Sequence, residues 1–321
     1  MIYPKIINKI KESGKIAILS HIMPDGDAVG SSLALYNALR KAGKEARYIL
    51  DDSIPGTYSF LKNAEMTEKP GEYEKFDLVI ALDCGDEERL GACSKYLKDN
   101  FVINIDHHIS NNEFGSMNMV DSNAAATGEI VYQIIKIMGI EMDKDISECL
   151  YTAIVTDTGQ FQYSNTTSVT HQIAGDLINN GVDTPVMFER IYQNNSKEKV
   201  LLMKIALDSM EFYQNDSICC ISLSKEQMAS VNAKESDADG LVNLARDIES
   251  TEVAVFLKEL DKDKVKVGLR SKKVVDVCKV ASAFGGGGHV RAAGCTVHGS
   301  LLDVKGKVLE VVMTELKQGV L

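Results

Sequence analysis

Three short runs of apolar, largely β-branched residues constrain this chain most: KIAIL at 15–19, DLVIAL at 77–82 and FVINI at 101–105. Continuous runs of this length between polar loops suit strands covered on both faces, the situation of a parallel sheet. Between the first two lies DAVGSSLALYNALRKAG, in which Val29, Leu33, Tyr36 and Leu39 share a helical face and Gly43 supplies a C-terminal stop. Further helices are predicted at about 125–138, 145–156 and 168–180. The N-terminal part is therefore expected to be an α/β domain, a mostly parallel sheet flanked by helices.

The second half has another texture. SICCISL, TEVAVFLKEL and KVKVGLRS read as strands, and LVNLARDI, KVVDVCKVASAF and LLDVKGKVLEVVMTEL as helices. The expectation is a smaller α+β domain at 215–321, joined to a first domain at 1–185 by a helical linker at 186–214. At 321 residues and 45% hydrophobic content, the chain is long enough for two cores. Its seven cysteines include no C-x-x-C pair, so neither a disulfide framework nor a zinc ribbon is read.

Each apolar run ends in the same chemistry. KIAILS leads to His21-Ile22-Met23-Pro24-Asp25-Gly26-Asp27, LVIAL to Asp83-Cys84-Gly85-Asp86 and FVINI to Asp106-His107-His108. A fourth run, YTAIVT, ends in Asp157-Thr158-Gly159. Ligand groups in open parallel sheets gather beyond the carboxyl ends of the strands, so distant loops of this kind converge. Several aspartates with histidines and no thiolates suit a dinuclear metal site, with Mn²⁺ favoured and Mg²⁺ or Co²⁺ as substitutes. Near the C-terminus, four glycines at 285–288 precede His289 and Arg291. Glycines without a Cβ let backbone approach a phosphate, and the two basic residues add charge-assisted contacts.

With those residues in place, the sequence resembles the DHH phosphoesterase superfamily. HIMPDGDAVGS, LDCGD, IDHH and TDTG occur in its order and approximate spacing, and GGGGHVRAAG looks like the GGGH-x-x-A-A-G motif of the DHH-associated domain. The branch it resembles comprises bacterial oligoribonucleases (nanoRNases) that also dephosphorylate 3′-phosphoadenosine-5′-phosphate (pAp). The resemblance implies His21 and Asp25 on one metal, Asp27, His107 and Asp157 on the other, and Asp83 bridging. It also implies that Asp106 orients His107 through its ring N–H and that His108 faces the substrate phosphate or the attacking water. Asp83, Asp106 and His108 are thus the expected catalytic set. Arg270, Ser271, Gly286, Gly287, Gly288, His289 and Arg291 are the expected substrate contacts, holding a short nucleotide across a cleft.

Charge bears on the choice of substrate. Net charge is −11, which opposes coating of long nucleic acid, because such binding is driven by phosphate neutralisation. The excess acid lies in residues 1–215, whereas 264–291 hold seven basic residues against Asp276 alone. Short RNA oligonucleotides and pAp are the expected substrates, without long duplex nucleic acid or a membrane; a homodimer remains open. The first 20 residues carry no apolar stretch of signal-peptide length, so a cytoplasmic location is expected. Cyclic di-AMP or linear dinucleotide (pApA, pGpG) phosphodiesterases would use the same metal groups. An inorganic pyrophosphatase shares the catalytic domain but has Arg/Lys clusters in place of the GGGH motif. A silent nucleotide-binding module would have lost a ligand. Asp25-Gly26-Asp27-Ala28-Val29 also fits the D-x-D-x-[TV] loop of haloacid-dehalogenase-type phosphatases, in which the nucleophile directly follows its strand; here four residues intervene.

Overall fold

The computed structural model describes residues 2–319, and the chain divides after Asn194 into two compact units. The first contains α1 (Tyr3–Glu12), β1 (Lys15–Leu19), α2 (Gly26–Lys41), β2 (Glu45–Ile49), β3 (Leu78–Leu82), β4 (Val102–Asp106), β5 (Met117–Val120), α3 (Thr127–Met138), α4 (Lys144–Asp157), α5 (Ser168–Asn179) and α6 (Thr184–Tyr192). Its five strands are all parallel, in the order β2-β1-β3-β4-β5. The three predicted strands are the central ones. The two edge strands, EARYI and MNMV, carry charged or polar residues and so lacked the apolar signal of a doubly covered strand.

Both faces of the central strands are buried, which is why their sequences do not alternate. Ile16, Ile18, Leu78, Ile80, Leu82, Ile103 and Ile105 pack with α2, α3 and α4, while Ala17, Leu19, Val79 and Ala81 meet Cys93 and Tyr96 of the 3-10 segment Glu87–Leu97. Helix α2 is buried from Gly26 to Leu39, well beyond the predicted single face, because α4 runs against it. That approach needs glycine: a Cβ on Gly30 would stand 2.5 Å from the Cys149 carbonyl oxygen, and one on Gly26 would collide with the Thr156 side chain. The end of α4, bearing Asp157, is thereby brought to the start of α2.

The second unit comprises α7 (Lys197–Asp208), β6 (Glu211–Tyr213), β7 (Ile218–Leu223), α8 (Lys225–Ser230), α9 (Val242–Arg246), β8 (Val253–Asp261), β9 (Lys264–Ser271), α10 (Val277–Ser282), β10 (Gly287–His289), β11 (Ala292–His298) and α11 (Leu301–Gly319). Its sheet is mixed, in the order β10-β11-β9-β8-β7-β6, with β7 and β8 parallel and the other pairs antiparallel. Helices α10 and α11 cover one face and α7 to α9 the other. The stretch 186–214, expected as one helical linker, holds two helices, α6 in the first unit and α7 in the second. The helix predicted over KVVDVCKVASAF starts only at Val277, because the N–H groups of Lys273, Val274 and Val275 donate to the Glu252 carboxylate and Asp276 caps the helix. Among the described residues, no helix is long and apolar enough to cross a membrane.

Candidate metal centre

Strands β1, β3 and β4 are neighbours in the sheet, so their carboxyl ends open side by side. Asp83, the first residue beyond β3, adopts a left-handed backbone with φ +53°, held by its N–H to the Ile105 carbonyl at 3.0 Å. Its carboxylate lies between two groups. One oxygen is 3.7 Å from His21 Nε2, and the other is 3.7 Å from His107 Nε2 and 3.6 Å from His108 Nδ1.

Around Asp83 the donors fall into overlapping sets: His21, Asp25 and Asp83; Asp27, His107 and Asp157; and Asp83, His107 and His108. Within each set the donor atoms lie within 4.8 Å of one another. His21 Nε2 stands 3.9 Å from Asp25, and His107 Nε2 stands 3.8 Å from Asp27 and 3.5 Å from Asp157. These gaps exceed hydrogen bonds. Donors each about 2.1 Å from a shared ion stand roughly 3–4 Å apart, so the residues fit divalent cations.

The imidazoles are oriented by backbone. His21 Nδ1 donates to the Ile22 carbonyl at 2.7 Å and His107 Nδ1 to the Ala124 carbonyl at 3.3 Å, which leaves both Nε2 atoms for the carboxylates. This corrects one expectation: Asp106 does not hold the His107 ring. Asp106 Oδ1 accepts the His107 backbone N–H at 2.8 Å and the His108 Nδ1–H at 2.7 Å, while Oδ2 accepts the Asn111 amide at 2.6 Å. The reason is geometric, since Asp106 ends β4 pointing back beneath the following turn and the nearer ring is that of His108. Asn111 also donates to Asn104 and ties the turn to the strand.

Sequence reasoning missed a further support, the amino end of α3. Thr127 N–H and Gly128 N–H donate to the two Asp27 oxygens at 2.6 and 2.9 Å, and the Thr127 hydroxyl donates to Asp83 at 2.9 Å. Backbone N–H groups at a helix start suit a carboxylate. Its only sequence signal was a helix opening on Thr-Gly.

Crowded like charges perturb the acids. Burial, then the neighbouring Asp83, Asp157 and Asp25, hold the Asp27 carboxyl well above its ordinary range. Burial likewise lifts Asp157 to about 6, against the pull of His107. Asp83 goes the other way: burial would raise it, but the neighbouring imidazoles of His21, His108 and His107 outweigh burial and bring it to about 2. The bond to Asp106 raises His108 to about 9. Cys84 is no part of this set; its buried thiol donates to the Asp86 carbonyl.

In the second unit, the glycine run forms β10 and the approach to it. Gly285 has φ +72° and Gly288 +143°, and a Cβ on Gly288 would stand 2.5 Å from the Ala292 carbonyl oxygen, so the close approach made here is to β11. Arg291 donates to the carbonyls of Val275 and Lys273 and to the Ser271 hydroxyl. Ser271 is buried and donates to the Val275 carbonyl at 2.6 Å, while Arg270 Nη1 donates to the Leu269 carbonyl. The side chain of His289 lies outside the described residues.

Residues 15–154 match the N-terminal domain of the DHH family, and residues 216–318 match the DHHA1 domain. The chain is 37% identical over 305 residues to the bifunctional oligoribonuclease and PAP phosphatase NrnA of Thermus thermophilus, covering 94% of this chain and 90% of that protein. It is 28% identical to the enzyme of the same name from Bacillus subtilis, over 92% and 93% of the two chains. The crystal structure of an exopolyphosphatase-related protein from Bacteroides fragilis superposes with a TM-score of 0.91 at 27% identity, covering 98% of this chain and 95% of that one.

Two outcomes follow from the geometry. Thr127→Val removes the hydroxyl that fixes Asp83 and should weaken Mn²⁺ binding about tenfold by calorimetry, with Thr127→Ser close to wild type. Acids whose folded pKa is raised bind protons more tightly folded than unfolded, so their contribution to stability is lost as pH climbs from about 4 through about 6. A divalent cation relieves that charge crowding. The gain in thermal midpoint on adding Mn²⁺ should therefore be larger near pH 7.5 than near pH 5, as read by scanning calorimetry.

Proposed function

The chain belongs to the DHH family, and from that premise we propose that it is a metal-dependent hydrolase that cuts short oligoribonucleotides to mononucleotides and dephosphorylates pAp. The observation that carries this reading is the Asp83 carboxylate, whose two oxygens each face a separate imidazole–carboxylate group at 3.7 Å. The names of the relatives, oligoribonuclease and PAP phosphatase, support the substrate class.

His21 and Asp25 would hold one cation and Asp27, His107 and Asp157 the other, with Asp83 shared. Oxygen and imidazole donors without thiolate favour Mn²⁺, with Mg²⁺ or Co²⁺ as substitutes. Such cations, when bound, supply Lewis acidity and a readily deprotonated water for attack on phosphorus. The protein's own part is positional. Asp106 fixes His108 through Nδ1, and the ring would face a substrate phosphate or the attacking water. Thr127 and the start of α3 hold Asp83 and Asp27 in place before any substrate arrives. In the second unit, Arg270, Ser271, Gly286, Gly287, Gly288, His289 and Arg291 make up the candidate phosphate- and nucleotide-binding surface. The local excess of basic residues at 264–291 supports that role.

One substrate panel with Mn²⁺ tests this reading: RNA of two to five nucleotides, a long RNA, pAp, cyclic di-AMP, linear pApA and pyrophosphate. Short RNA and pAp should be turned over with the highest kcat/KM. A profile led by pyrophosphate or by cyclic di-AMP would contradict it.

A further inference from the structure

The segment after Asp157 takes an unfavourable path, and what that path delivers is an amide beside the candidate metal centre. Gln160 and Phe161 follow Gly159 with φ of +64° and +65°. Left-handed backbone is disfavoured where a Cβ is present and persists only where surrounding contacts over-determine it. Phe161 supplies those contacts: its ring meets Tyr151 edge-on with centroids 6.2 Å apart and stacks on His171 at 5.2 Å. The chain then turns back, the N–H groups of Gln162 and Tyr163 both donating to the Thr158 carbonyl at 3.0 Å. The return ends at Asn165.

Asn165 Nδ2 donates to two carbonyls, that of Asp157 at 3.2 Å and that of Ala125 at 2.9 Å. Since both partners are acceptors, only the NH₂ end of the amide can face them. Asp157 is the last residue of α4, where carbonyls lack intrahelical partners, so the amide caps the residue that carries the expected ligand. Ala125 lies within residues 124–128, which hold three other expected ligands. The Ala124 carbonyl accepts His107 Nδ1–H at 3.3 Å, the N–H groups of Thr127 and Gly128 hold Asp27, and the Thr127 hydroxyl holds Asp83. Asn165 therefore ties the end of α4 to the segment that orients His107 and Asp27. The loop carrying His21 and Asp25 is held elsewhere: Ile22 N–H donates to the Arg89 carbonyl at 2.7 Å and Met23 N–H to Asp52 at 2.6 Å.

We propose that Asn165 is a positioning residue: it sets Asp157 against His107 and Asp27, and so governs the affinity of that cation position and not of the one at His21 and Asp25. This rests on the two-cation reading above and adds a residue to it.

The test reads Mn²⁺ binding, not turnover. Anomalous diffraction from crystals equilibrated at Mn²⁺ levels that half-fill the wild-type positions measures each occupancy separately. With Asn165→Ala, occupancy beside Asp27, His107 and Asp157 should fall as for a site weakened about tenfold, while that beside His21 and Asp25 keeps its wild-type value. Calorimetry should show the same split between two dissociation constants. Asn165→Asp keeps the size of the side chain but sets an acceptor against both carbonyls. Its added negative charge alone would tighten cation binding, so weaker binding at the Asp157 position reads the lost N–H donors. Should Asn165→Ala not fold, the Asp variant decides. Unchanged or tighter binding at the Asp157 position, or an equal loss at both positions, would overturn the role. If wild type binds fewer than two cations, the two-cation reading fails; two wild-type cations that are both indifferent to Asn165 defeat this inference alone.

Discussion

Four carboxylates gathered at the ends of parallel strands and helices are the constraint on which the first unit depends. Left unpaired, Asp27 and Asp83 would be costly, because a buried charge loses its hydration. The fold answers each acid separately. Asp27 receives two N–H groups from the start of α3, and Asp83 receives the Thr127 hydroxyl and three imidazole neighbours. Asp157 arrives only because α4 lies against glycines of α2. Burial first, and the neighbouring acids after it, keep the Asp27 and Asp157 carboxyls raised.

Much of this was legible in the sequence because period and position carry it. An apolar run without alternation marks a strand buried on both faces, and acids and histidines at its carboxyl end mark a place where ligand groups could converge; the choice of His21, Asp25, Asp27, Asp83, His107 and Asp157 among them came from the resemblance to the DHH family. Edge strands β2 and β5 escaped because exposure on one side removes the apolar signal. The partner of Asp106 escaped because it depends on how a turn places two adjacent rings, which residue identity does not encode. Thr127 and Asn111 escaped for a related reason: their hydrogen bonds reach 44 and 5 residues along the chain to atoms that meet only after the sheet forms.

The second unit illustrates the opposite risk, in which residues chosen for chemistry also hold the fold. Ser271 and Arg291 close the loop between β9 and α10 with bonds to carbonyls, and Gly288 lies against β11. Such bonds fix the basic hairpin in shape, and a preformed surface costs less ordering on binding than a mobile one. Length, charge and the glycine run together suit a short anionic ligand.

The central claim is that Asp83 lies between two cations. Crystals grown with Mn²⁺ and measured at its absorption edge test this most directly. Two anomalous peaks about 3.5–4 Å apart, one beside each Asp83 oxygen, are the predicted result. A single peak, or two peaks that do not share Asp83, would contradict the account.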